Sequence, residues 1–82
     1  MDQNIIKEEI REYIKKSIIK DESSVIENDT PLISGGIIDS ISTLKMVDFI
    51  EKKYSIEFQP HEVDRENLNS VDLIAQFILS KK

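Results

Sequence analysis

The sequence predicts an all-α fold: a small four-helix bundle of three longer helices and one short one, with a long loop between helices one and two. Three observations predict it. Apolar residues recur at three- and four-residue spacing in three separate stretches. The one stretch that alternates apolar and polar residues has no second strand to pair with. Two glycines, two prolines and 39% hydrophobic residues in 82 describe an ordered globular chain, not a linker or a tail. At that length one domain spanning 1–82 is expected, with an economical core.

The first helix runs over about 3–20, where Ile6, Ile10, Tyr13, Ile14 and Ile18 form one stripe. Its other face carries Lys7, Glu8, Glu9, Arg11, Glu12, Lys15 and Lys16, opposite charges spaced for helical pairing, and reads as solvated. Residues 21–36 have no sustained period and hold Ser23-Ser24, Asn28-Asp29-Thr30-Pro31 and Gly35-Gly36, which marks a loop. Loops of this length in a compact domain are functional or anchored, so Val25, Ile26, Leu32 and Ile33 are expected against the helices.

The second long helix covers 39–54. A rotation of about 100° per residue places Thr43, Met46, Val47, Ile50 and Tyr54 on its core face. Met46 and Phe49 read as core filling. Ile41 and Leu44 fall on the opposite side with Lys45, Asp48 and Lys52, two apolar residues left outward as a candidate docking surface. Residues 54–59 form an extended connector with Ile56 and Phe58 buried. Pro60 then opens a short helix or turn through about residue 65. Asn67-Leu68-Asn69-Ser70 supplies a stop and a new N-cap. Val71, Ile74, Ala75 and Ile78 mark the last helix, with Lys81 and Lys82 beyond it where positive charge suits a C-terminus.

Composition excludes several functions. With no cysteine there are no disulfides or thiolate metal sites, and any thiol must be added from outside. A formal charge of −5 disfavours nucleic acid and favours partners with basic patches. No apolar run approaches the roughly 20 residues of a membrane span, and the N-terminus lacks the order of a signal peptide, so a cytoplasmic, monomeric protein is expected. His61, the one histidine, has no nucleophile or metal ligand in its neighbourhood and reads as a surface residue. Neither a nucleophile elbow nor a phosphate-binding loop is present, so the chain is not read as an enzyme.

The stretch Gly35-Gly36-Ile37-Ile38-Asp39-Ser40-Ile41 leads into the second long helix. The glycines permit a sharp turn, and Asp39 has the short acceptor side chain that an N-cap needs. Ser40 falls on the first helical turn, near unpaired backbone N–H groups and the positive end of the helix dipole, a favourable place for a phosphate ester.

Asp39-Ser40-Ile41 after a glycine and two apolar residues resembles the Asp-Ser-Leu attachment site of acyl and peptidyl carrier proteins, with isoleucine where leucine is usual. The resemblance covers nearly the whole chain. It implies that Ser40 carries a covalent 4′-phosphopantetheine arm, moved from coenzyme A by a phosphopantetheinyl transferase, whose thiol holds acyl groups as thioesters. Asp39 would cap the helix and take part in recognition by the transferase. Ile41 and Leu44, with Asp48 and Glu51 as acidic contacts, would meet loading ligases or transferases and synthase-type enzymes. The implied role is an acyl carrier in fatty acid, polyketide or related specialised biosynthesis. Fatty-acid carriers resemble one another in a strongly acidic second helix, which Ser42, Lys45, Lys52 and Lys53 dilute here. An aminoacyl carrier of peptidyl or D-alanyl type is the alternative. A remoter one is an unmodified helical adaptor that binds through Ile41 and Leu44.

Overall fold

Asp2 begins the first helix by accepting the Asn4 N–H on its carboxylate at 2.8 Å, which satisfies one of the donors a helix start leaves open. Helix α1, Gln3–Tyr13, continues without a break into a π-helical turn over Ile14–Ile19 and stops at Lys20, whose φ of 60° is left-handed. The end expected near residue 20 is observed, while the π turn is not visible in a pattern that keeps its apolar spacing throughout. Ile6, Ile10 and Ile14 are fully buried. Each such side chain stabilises the fold by about 1.5–3 kcal/mol relative to exposure. The computed structural model describes residues 2–21 and 23–81. Glu22, inside the expected loop, and Lys82, expected past the last helix, lie outside the described residues.

The long connection to the second helix forms one wall of the core. Its residues Ile26, Leu32 and Ile38 are no more than 4% exposed, which is core burial without secondary structure. Val25, expected against the helices, is instead 81% exposed. The reason is local: in irregular chain neighbouring side chains diverge, and at this point Ile26 takes the inward place. Ile33 is half-buried against the core.

Polar groups tie this wall down. Arg11 Nε donates to the Ile26 carbonyl at 2.8 Å, and its guanidinium also meets Glu8 and Asn28. The polar face of α1 is thus not wholly solvated. Arg11 clamps the loop, Lys7 pairs with Asp72 at 2.8 Å, and Glu9 accepts the Tyr54 hydroxyl at 2.7 Å. Burial, and then the neighbouring Glu9 carboxylate, keep that hydroxyl protonated well above the ordinary phenol range.

Helix α2, Ser40–Tyr54, buries Met46, Val47, Ile50 and Tyr54 as its periodicity requires, with Thr43 half-buried. Phe49 is only half-buried. It stacks on Tyr13 with ring centroids 4.0 Å apart at the edge of the core, and the Tyr13 hydroxyl donates to the Lys45 carbonyl at 3.2 Å. Ser55, at φ 55°, ends the helix. The connector that follows is extended, with Ile56 half-buried and Phe58 buried and stacked on Phe77 at 4.6 Å.

The short helical segment expected from Pro60 is divided. A 3-10 turn spans Pro60–Glu62, and helix α3, Arg65–Leu68, begins beyond it. The division follows from Asp64, whose carboxylate accepts the Asn67 N–H at 3.1 Å and so restarts the helix. Ser70 caps the final helix through its hydroxyl, which accepts the Leu73 N–H at 3.1 Å. Helix α4, Val71–Lys81, buries Val71, Ile74, Ala75, Phe77 and Ile78 against α1 and α3. Lys81, expected past the helix, belongs to its last turn and reaches Glu62 at 2.8 Å, so charge at this end serves a tertiary tie as well as the dipole. Four α-helices and no strand are present among the described residues, the fold class expected from the sequence.

Candidate functional site

The site begins with a turn only glycine can make. A Cβ at Gly35 would overlap the Pro31 carbonyl oxygen, and Gly36 sits at φ 78°, a left-handed conformation costly for other residues. The chain doubles back so tightly that the Ile37 and Ile38 N–H groups both donate to the Leu32 carbonyl, each at 2.9 Å. Ile38 is thereby driven into the core at 1% exposure, and the next two residues emerge at the surface.

Asp39 is extended, and its carboxylate accepts the Ser42 N–H at 2.7 Å, the N-cap arrangement expected from its side chain. Its carbonyl accepts from both the N–H and the hydroxyl of Thr43, at 2.9 and 2.8 Å. The Ser42 hydrogen bonds hold the Asp39 carboxyl below the usual carboxylate range, so it is ionised at neutral pH. Ser40 is the first residue of α2 and is exposed. Among the described residues its hydroxyl makes no hydrogen bond, so it is accessible and has no base of its own.

Beside Ser40 lies a cleft of about 630 Å³ between the turn, the start of α2 and the chain entering α3. Its walls include Ile38, Leu44 and Val63, with Asp39, Asp64 and Arg65 as charged groups. Ile41 and Leu44, 68% and 61% exposed, are left outward by the core packing, as their helical positions predict. Asp48 pairs with Lys52 at 3.1 Å on the same exposed helix. Glu51 is half-buried, and its carboxylate accepts the Phe58 N–H at 2.8 Å, so it is already engaged in holding the connector. His61 is exposed and outside this cleft.

Two contributors escape the sequence reading. Asn69, part of the expected helix stop, accepts the Ile33 and Ser34 N–H groups on its side-chain oxygen at 2.9 and 3.0 Å. Its nitrogen donates to the Ser34 hydroxyl at 3.1 Å, and its carbonyl accepts the Leu32 N–H at 2.6 Å. Partners so distant leave no local signal. Arg65 did leave one, as the single Lys or Arg among Glu57, Glu62, Asp64 and Glu66.

No model of a known protein family matches the chain. The D-alanyl carrier protein of Streptococcus sanguinis is 27% identical over 71 residues, 87% of each chain. That of Lactococcus lactis is 33% identical over 54 residues, covering 66% of this chain and 68% of the relative. The chain belongs to the acyl and peptidyl carrier protein family. In the crystal structure of an FAD-dependent dehydrogenase, one chain is similar to this carrier with a TM-score of 0.76 and 25% identity. The match covers 84% of the carrier and 97% of that chain. Both named relatives are D-alanyl carriers, which favours the aminoacyl alternative over a fatty-acid or polyketide role for this carrier.

Proposed function

We propose that this protein is an aminoacyl carrier of D-alanyl type, with Ser40 as its covalent attachment point. The observation that carries the reading is the exposed, unengaged Ser40 hydroxyl on the first turn of a capped helix, above a partly apolar cleft. These residues fit a 4′-phosphopantetheine arm: an exposed hydroxyl and room for the chain of the arm in the cleft beside it.

A phosphopantetheinyl transferase supplies the base that Ser40 lacks. The Ser40 oxygen forms a bond to the pantetheine-bearing phosphorus of coenzyme A, the pyrophosphate bond breaks, and adenosine 3′,5′-bisphosphate leaves with the electron pair. Asp39 keeps the first turn wound and presents a carboxylate to the transferase. Once attached, the arm supplies a thiol that holds an amino acid as a thioester.

A small amino acid is the cargo favoured by the two D-alanyl relatives, and the mixed charge of α2, where Lys45, Lys52 and Lys53 accompany Asp48, departs from the strongly acidic helix of fatty-acid carriers. An ATP-using ligase that adenylates the carboxylate before transfer is the partner such a cargo requires. Ile41 and Leu44 are its proposed apolar contacts, with Asp48 and the outer edge of Glu51 at the rim, where charge sets encounter and partner choice.

Intact-mass spectrometry tests the reading. The protein is weighed before and after incubation with coenzyme A and a broad-specificity transferase, beside Ser40→Ala. A gain of one phosphopantetheine, absent from the folded variant, is the expected result. Incubation of the modified protein with D-alanyl ligase, D-alanine and ATP then adds one alanyl group. No first gain from folded protein with several transferases would overturn the carrier role and leave an adaptor acting through Ile41 and Leu44. A first gain without a second, while a fatty acyl ligase does load the arm, would overturn the aminoacyl assignment alone.

A further inference from the structure

The charges around the Ser40 cleft are unequal in their commitments. Asp39 is bound to the Ser42 N–H and Asp64 to the Asn67 N–H, so both carboxylates cap helices. Among the described residues Arg65 is the only basic one lining the cleft; it is exposed, and its guanidinium makes no ion pair or hydrogen bond with them. Lys7, Arg11, Lys16, Lys52, Lys53 and Lys81 all have acidic partners.

A phosphodiester on Ser40 would place a negative charge next to ionised Asp39, which already occupies a donor of the first turn. The N-terminus of α2 alone therefore offers less to an anion than an uncapped helix would. A nearby cation is needed to offset the like-charge repulsion, and a guanidinium is suited to a phosphate because its planar fork donates two parallel hydrogen bonds.

We infer that Arg65 binds the phosphodiester that joins the arm to Ser40 and so settles the root of the arm in the cleft between α2 and α3. The inference rests on the Ser40 attachment proposed above. Asp64, Arg65's neighbour, stays committed to its cap and leaves the guanidinium to the ligand. Arg65 is here a positioning residue that touches the arm, with no part in attaching it.

Nuclear magnetic resonance on the intact protein tests this. The unmodified and modified forms, each verified by mass, are compared through the Arg65 Nε–H resonance and, in the modified form, the phosphorus resonance of the phosphodiester. The Arg65 Nε–H is expected to shift on modification, and the shift to fade as salt is raised, since an exposed pair is screened. Arg65→Ala is expected to move the phosphorus resonance and reduce the docked fraction of the arm by about two- to fivefold, the range of an exposed ion pair. Arg65→Lys should restore part of it. Lys45→Ala, at a lysine that lines a different groove and has no ion pair among the described residues, should leave the phosphorus signal where it is. Among the described residues the Arg65 side chain is exposed and makes no hydrogen bond or ion pair, so circular dichroism of both variants should match the parent.

An Arg65 Nε–H that stays in place on modification, together with a phosphorus resonance indifferent to Arg65→Ala, would overturn the inference and leave the attachment reading standing. Failure of the mass gain itself would overturn both.

Discussion

The side-chain oxygen of Asn69 accepts the Ile33 N–H at 2.9 Å across 36 residues of sequence, and this bond fastens the approach to Ser40 onto the end of α3. Without it the Ile33 N–H is left in partly buried surroundings, where an unpaired donor costs about 1–3 kcal/mol. Asn69→Ala should lower stability by about that amount in urea denaturation and slow phosphopantetheine transfer to Ser40. Asn69→Asp keeps the acceptor for both N–H groups and should retain most of the stability. Equal losses from the two variants would mean that the side-chain oxygen is not what matters.

Gly35 and Gly36 are adjacent but should respond differently. Gly36→Ala meets open space and carries only the strain of a positive φ, about 1–2 kcal/mol. Gly35→Ala drives a methyl into the Pro31 carbonyl and must move backbone, so its loss should be clearly larger. Thermal midpoints of the two variants, ranked the other way, would contradict the described turn.

The Glu9–Tyr54 pair makes stability depend on pH at both ends. The Tyr54 hydrogen bond, ahead of the opposing effect of burial, lowers the Glu9 pKa below its ordinary 4.5. That contribution is complete above 4.5 and disappears as pH falls through the lower folded value. Tyr54 is shifted upward, so its contribution holds below its ordinary 10.0 and is lost as pH rises beyond it. Tyr54→Phe should therefore flatten the alkaline limb of a stability profile and weaken the acid limb. Chemical denaturation at a series of pH values measures both limbs, and an unchanged alkaline limb would assign it to other groups.

Ile41→Glu and Leu44→Glu alter exposed positions and should change stability by no more than about 0.5 kcal/mol. Each should nevertheless reduce aminoacylation by the cognate ligase severalfold, while Lys20→Glu, on the far side of the loop, should not. Loading rates that ignore both apolar residues would remove them from the docking surface.

The helices were readable because each buries a stripe with its own period, as Ile6, Ile10 and Ile14 do on α1. Asp39 and Ser40 were readable because capping is decided within four residues. What escaped depends on distant partners or on crowding. The π turn over Ile14–Ile19 preserves an apolar spacing that suits an α-helix equally well. Val25 and Ile26 are chemically alike, and only the path of the loop decides which one points inward. Glu51 resembles any exposed acidic residue until the connector folds back and offers it the Phe58 N–H.

The wall formed by Ile26, Leu32 and Ile38 makes the longest irregular stretch a poor place to cut the chain. Proteases ordinarily find such a stretch first, yet a nick here would detach one side of the core from its ties to Arg11, to Asn69 and to Asp72, whose N–H donates to the Asn28 carbonyl at 3.0 Å. A grafted tag or a circular permutation should be tolerated better at the exposed, left-handed Ser55 than anywhere between Ile26 and Ile38, even though Ser55 closes a helix and the other segment contains none.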